Sequence, residues 1–189
     1  EREIAILFAD LRQFTRFSET KLPYDVVFVI NQFSREMGRA VQQAGGRIDK
    51  FTGDGVMALF GIENGPEEGS RQAIAAARQM AENLEALNRN LHHDLNDALR
   101  IGIGIHCGAA IVGEMGYGDA VTITAIGDAV NVAARLETAT KDYGAQLVMS
   151  RVVAERAGLP VDGLRQEQIE VRGRGEAIAA IVVADARTL

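Results

Sequence analysis

Residues 47–60 read Arg47-Ile48-Asp49-Lys50-Phe51-Thr52-Gly53-Asp54-Gly55-Val56-Met57-Ala58-Leu59-Phe60. Two short strand-like runs, Arg47 to Thr52 and Val56 to Phe60, flank Gly53-Asp54-Gly55, and this spacing predicts a β-hairpin. Upstream, Gly45-Gly46 stops a long helix expected from Pro23 to Ala44, with Pro23 suited to its first turn. Val26, Ile30, Phe33, Met37, Val41 and Ala44 form its apolar stripe. Before that helix, Glu3 to Asp10 reads as a buried strand. Ile4, Ile6 and Phe8 lie on one face, Ala5, Leu7 and Ala9 on the other, and a carboxylate ends the run. Downstream, a second helix is expected from Glu67 to Leu91, striped by Ile74, Ala77, Met80, Leu84, Leu87 and Leu91. A strand from Arg100 to His106 follows, alternating Ile101, Ile103 and Ile105 with Gly102, Gly104 and His106. Strand, helix, hairpin, helix, strand is most of a βαββαβ core, so the fold class is α+β and ferredoxin-like. The C-terminal extension adds a strand at Val121 to Ile126, a helix at Asp128 to Tyr143, and strand-like runs near Gln146 to Met149, Gln166 to Val171 and Ile178 to Val183.

The 189 residues fit one domain, 1–189, with mass enough for a substantial core. No apolar run is long enough to span a membrane, and no signal peptide is visible. A formal charge of −6 argues against a duplex nucleic-acid partner, which calls for a basic face. It leaves room for a polyphosphate ligand, because bound metal ions carry compensating charge. The single cysteine, Cys107, excludes an internal disulfide and a Cys-rich metal site and fits a reducing, cytoplasmic setting. The first residue is Glu1 rather than Met, so the chain is expected to be cut from a longer protein whose other segments could hold regulatory domains or a membrane tether.

Two carboxylates carry the chemistry. Asp10 ends a buried strand, Asp54 sits in the turn of the hairpin, and these strands are neighbours in a ferredoxin-like sheet. Hard divalent cations are often held by one or two carboxylates together with substrate phosphates. A pair of ions so held activates an attacking oxygen and stabilises a leaving one. Asp54 alone would read as ordinary turn chemistry; the pair in its flanking sequence reads as a metal site. His92, His93 and His106 have no motif context, and adjacent His92 and His93 are expected to point to different sides of a helix end. The Gly-rich stretch Gly108 to Gly118 lacks the G-x-x-x-x-G-K-[ST] pattern and reads as a flexible arm or dimer contact rather than a phosphate loop.

Three stretches extend this reading. Phe8-Ala9-Asp10-Leu11 with Phe14-Thr15 resembles the first metal motif of class III nucleotidyl cyclases, and Lys50-Phe51-Thr52-Gly53-Asp54 resembles their second. Gly127-Asp128-Ala129-Val130-Asn131-Val132-Ala133-Ala134-Arg135 resembles their signature G-x-x-V-N-x-A-x-R. All three come in the family's order, and the resemblance covers essentially the whole chain. It implies the nucleotidyl cyclase fold, an adenylyl cyclase activity that makes cyclic AMP and pyrophosphate from ATP, two divalent cations (Mg²⁺ or Mn²⁺), and a homodimer with sites shared between chains. By this resemblance Asp10 and Asp54 match the metal-binding aspartates, Lys50 and Thr124 the base-selecting pair, and Asn131 and Arg135 the residues that orient the ribose and stabilise the transition state. Arg172 matches a phosphate-binding position that usually carries lysine, and Arg174, two residues on, could serve instead. Threonine at 124, where many members carry aspartate, places the chain with the Thr-containing subgroup often called class IIIb.

The implied roles make physical sense. Adenine presents an acceptor at N1 and a donor at its amine. Lys50 only donates, and the Thr124 hydroxyl can accept, although it can also rotate to donate. Asn131 and Arg135 are four residues apart on one helix face, and a guanidinium forks onto phosphate oxygens. A rival palm-like enzyme, a cyclic dinucleotide synthase, would need a second acid in the hairpin, where this chain has Gly55-Val56. The rival from another class is a non-catalytic regulatory domain of the same fold. Such domains usually lose a metal aspartate or the Asn/Arg pair, and both are present here.

Overall fold

The computed structural model describes residues 1–189. Its sheet is built on β1 (Arg2–Leu11), β2 (Arg47–Phe51), β3 (Gly55–Phe60) and β4 (Ile101–Met115), in the spatial order β2-β3-β1-β4. This is the ferredoxin-like arrangement, with β1 antiparallel to both β3 and β4. The C-terminal part widens the sheet from the β4 edge. There β6 (Leu147–Ser150) runs parallel to β4, followed by β8 (Ile178–Val183) and β7 (Arg165–Ile169) in antiparallel pairing.

Each sheet face is apolar because the strands alternate and both sides are covered. Helices α2 (Pro23–Gln43) and α3 (Pro66–Leu91) cover one face, where Ala5, Leu7 and Ala9 meet Phe33, Met37 and Met80. Helix α4 (Asp128–Tyr143) covers the other, where Ile4 and Ile6 meet Ala129 and Ala133. The glycines of β4 set how closely α4 approaches. A Cβ at Gly104 would run into the backbone of Ala133 and Glu137, and one at Gly102 into the Arg12 guanidinium and Thr140. Any side chain larger than hydrogen at Gly104 would push α4 off the sheet.

Several expectations change. The Gly-rich stretch is not a flexible arm. β4 continues to Met115 and pairs with β5 (Thr122–Ile126) in a two-stranded ribbon. Its glycines mislead because strand propensity yields to pairing, first with β1 and then with β5. Two short helices, α1 (Phe14–Thr20) and α5 (Arg151–Ala157), were not expected. In α2 the first buried residue is Val29, with Val26 and Ile30 only half-buried, while Tyr24, Val27 and Phe28, and Leu22 just before the helix, are exposed. No helix is long and apolar enough to cross a membrane.

Candidate active site

Asp10 and Asp54 come together as expected, and the backbone explains how. Asp10 pairs with Gly55 across β1 and β3, and the Leu11 amide donates to the Asp54 carbonyl at 2.9 Å. The Thr52 amide donates to the Gly55 carbonyl at 2.9 Å, which closes the turn carrying Asp54. A Cβ on Gly55 would overlap the Asp10 carboxylate, so only glycine lets the strand end and the turn meet this closely. Both aspartates line a cleft of about 870 Å³ between the end of β1, the start of β4 and the second half of α4.

A third carboxylate, absent from the sequence expectations, forms the floor. Glu137 lines the cleft from α4 and is only 6% exposed, and its Oε1 has no hydrogen-bond partner. Its position was legible: Ala133, Glu137 and Thr140 follow helical spacing on the face that meets the sheet. A charged residue on such a face signals a polar site or a paired ion. Arg12 reaches over it and donates to the Glu137 backbone carbonyl at 3.1 Å. Burial raises the Asp10 carboxyl above its usual range, and Asp54 adds to the rise, while Glu137, Arg12 and Lys141 oppose it. Burial, then the charge of Asp10, pushes Glu137 up to about 7. Burial also lowers the Arg12 guanidinium, although the neighbouring carboxylates work against that.

These shifts have a stability consequence. Glu137 binds its proton more tightly folded, near pH 7, than at its ordinary value of 4.5. The folded state therefore gains most from Glu137 below pH 4.5, and that contribution is lost as pH rises toward about 7. Glu137→Gln is expected to flatten the stability profile across this window in metal-free buffer, measured as the urea midpoint at several pH values. A slope unchanged by the substitution would contradict the assignment.

The other expected residues do not line the cleft. Lys50 is exposed on β2, and Thr124 on β5 donates its hydroxyl to Asp49, beside Lys50, at 2.5 Å. Asn131 is exposed on α4. Arg135 donates from Nε to the Glu170 carbonyl at 3.1 Å and lies 4.0 Å from Asp142. Arg135 and Glu137 are two residues apart on one helix, so they project to opposite sides of it. Arg174 is paired with Asp128 at the start of α4, whereas Arg172 is exposed and has no ion-pair partner. The structure thus sorts the expected residues into Asp10 and Asp54 in the cleft and Lys50, Thr124, Asn131, Arg135 and Arg172 outside it.

The histidines lie outside the cleft. His92 and His93 do not diverge; α3 ends at Leu91, and their rings lie 3.7 Å apart in the turn that follows. His106 is packed against Ser150, with Nδ1 and the hydroxyl 2.8 Å apart. Burial, with Arg174 nearby, lowers it to about 4, so it is neutral near pH 7.

The match of residues 1–183 to the adenylate and guanylate cyclase catalytic domain decides the family. The chain belongs to it. An adenylate cyclase from Anabaena cylindrica is 36% identical over 94% of the cyclase domain, and the adenylate cyclase 1 of Rhizobium meliloti is 34% identical over 80%. The domain spans only 36% and 23% of those two proteins, respectively. Among solved structures, the adenylyl cyclase CyaB from P. aeruginosa superposes with a TM-score of 0.81 and 28% identity, covering 100% of this chain and 97% of that one. The crystal structure of a guanylyl cyclase superposes with a TM-score of 0.85 and 31% identity, covering 97% and 92%. The α+β architecture of the cyclase domain is that of these enzymes.

Proposed function

We propose that the cyclase domain converts ATP to 3′,5′-cyclic AMP and pyrophosphate at sites shared between two copies of the chain. The observation that carries the shared site is the division of the expected residues. The carboxylates occupy the cleft, while the base, ribose and phosphate residues sit apart from it on the same chain. A second copy would bring its Lys50, Thr124, Asn131, Arg135 and Arg172 against the first copy's Asp10 and Asp54, and a two-fold axis would make two such sites.

The cleft suits divalent cations. Five carboxylates line the cleft (Asp10, Asp54, Glu85, Glu137 and Asp185) against three cations (Arg12, Arg100 and Lys141), and burial already disfavours the ionised form of Asp10. No cluster of three ligating side chains surrounds one point, so Asp10 and Asp54 would hold the ions and phosphate oxygens would complete their shells. Two bound ions would supply an activated attacking oxygen and charge stabilisation on the leaving one. In the reaction the ribose 3′-oxygen bonds the α-phosphorus, its proton passes to solvent, and the bond to the β-phosphate oxygen breaks as pyrophosphate leaves. Asn131 orients the ribose. Arg135, released from Glu170, meets the charge that builds on the α-phosphate oxygens. Arg172, which has no ion-pair partner, takes the phosphate role, whereas Arg174 would first have to leave its exposed pair with Asp128.

The base is chosen by residues rather than by fold, since adenylyl and guanylyl cyclases both superpose well on the domain. Lys50 donates toward adenine N1, whereas guanine N1 is itself a donor. A mismatched buried polar group costs roughly 1–3 kcal/mol, about a tenfold to hundredfold preference for ATP. Steady-state kinetics with both nucleotides test this. Wild type is expected to favour ATP, and Lys50→Glu combined with Thr124→Ala to lose ATP use and gain some GTP use. Equal use of both nucleotides by wild type would overturn the base assignment.

A further inference from the structure

We propose that Asp49 is a specificity-determining positioning residue, which fixes the Thr124 hydroxyl so that it can only accept a hydrogen bond from the base. This deepens the base-edge reading of Lys50 and Thr124 and rests on it. Pairing between β2 and β3 runs Ile48 to Ala58 and then Lys50 to Met57, so Asp49 is the extra residue of a bulge. A bulge re-aims its side chain, and here the Asp49 carboxylate turns toward β5. Asp49 is 9% exposed, its Oδ2 accepts from the Thr124 hydroxyl at 2.5 Å, and its Oδ1 is buried with no partner.

A carboxylate only accepts, and a hydroxyl has one hydrogen. With that hydrogen committed to Asp49, what Thr124 offers a base is its lone pairs. Adenine's exocyclic amine donates to them. Guanine's O6 would meet lone pair against lone pair. To serve guanine, Thr124 would have to turn its hydrogen away from Asp49. That would break a short, charge-assisted bond and leave both oxygens of a buried carboxylate without a donor. The freedom to rotate that threonine has in principle is therefore removed at this position. Lys50 and Thr124 then discriminate in the same direction, and Asp49 does so without touching the base.

The test is the ratio of kcat/KM for ATP to that for GTP, in the full domain with its divalent cation. Asp49→Asn keeps the side-chain volume and introduces a donor, which frees the Thr124 hydroxyl, and is expected to lower the ratio about tenfold. Asp49→Leu removes the buried charge altogether, serves if the amide variant folds poorly, and is expected to act in the same direction. In a Thr124→Val background, which has no hydroxyl to orient, Asp49→Asn is expected to leave the ratio unchanged. A general loss of packing would not show that dependence on Thr124. An unchanged ratio in folded Asp49 variants, alongside a changed ratio in Lys50→Glu, would overturn the role of Asp49 alone. An equal fall with and without the Thr124 hydroxyl would overturn it as well. If Lys50→Glu also leaves the ratio unchanged, the base-edge reading fails and the role of Asp49 fails with it.

Discussion

Asp10→Asn and Asp54→Asn are each expected to remove cyclic nucleotide formation by at least about a thousandfold, because each deletes an anionic ligand from a site that has very few. The fold should not suffer. Asp10 is held above its usual carboxyl range by burial and by Asp54, so a neutral amide relieves repulsion, and melting temperature should be unchanged or higher. This combination separates a metal ligand from a turn-forming or capping aspartate, whose loss would cost stability and spare turnover. Activity assays beside thermal melts decide between them, and retained turnover in either folded variant would remove the metal assignment.

Mixing two inactive variants is expected to restore activity. Arg135→Ala lacks the transition-state guanidinium, and Asp10→Asn lacks a metal ligand. In a heterodimer of the two, one site combines both lesions and the other has none. Random exchange between equal amounts makes about half the dimers mixed, so about a quarter of wild-type activity should return. Arg135 and Glu137 are two residues apart on α4 and project to opposite sides of it, so the Arg135 guanidinium faces away from the cleft that holds its own chain's Asp10. A mixture that stays inactive after heterodimers are demonstrated would contradict the shared site.

Much of this was legible in the sequence because the relevant signals are local. The strand ending in Asp10, the Gly53-Asp54-Gly55 turn and the stripe of α3 each follow from periodicity and turn chemistry within one segment. Their convergence follows from ferredoxin-like topology, in which β1 and β3 must be neighbours. The misses arise where partners lie far along the chain. Helix α1 buries no residue and so carries no stripe, and α5 is only seven residues long. The outer half of β4 holds Gly108 and Gly113 and is a strand because β5 pairs with it. Asp49 and Glu137 escaped notice for the same reason. Each matters through a contact with a distant element, Thr124 for Asp49 and the end of β1 for Glu137. Nothing adjacent in sequence marks either one, beyond the helical spacing that puts Glu137 on the buried face.

The rival reading, a cyclase-fold domain that binds or dimerises without turnover, retains no structural support from a missing group: Asp10, Asp54, Asn131 and Arg135 are all present. The most direct measurement is product formation by the purified domain, incubated with ATP and Mg²⁺ or Mn²⁺ over a dilution series. The account predicts cyclic AMP and pyrophosphate in equal amounts, with activity per chain falling as dilution separates the two copies. No cyclic AMP from folded, dimeric protein at saturating ATP and metal would contradict it.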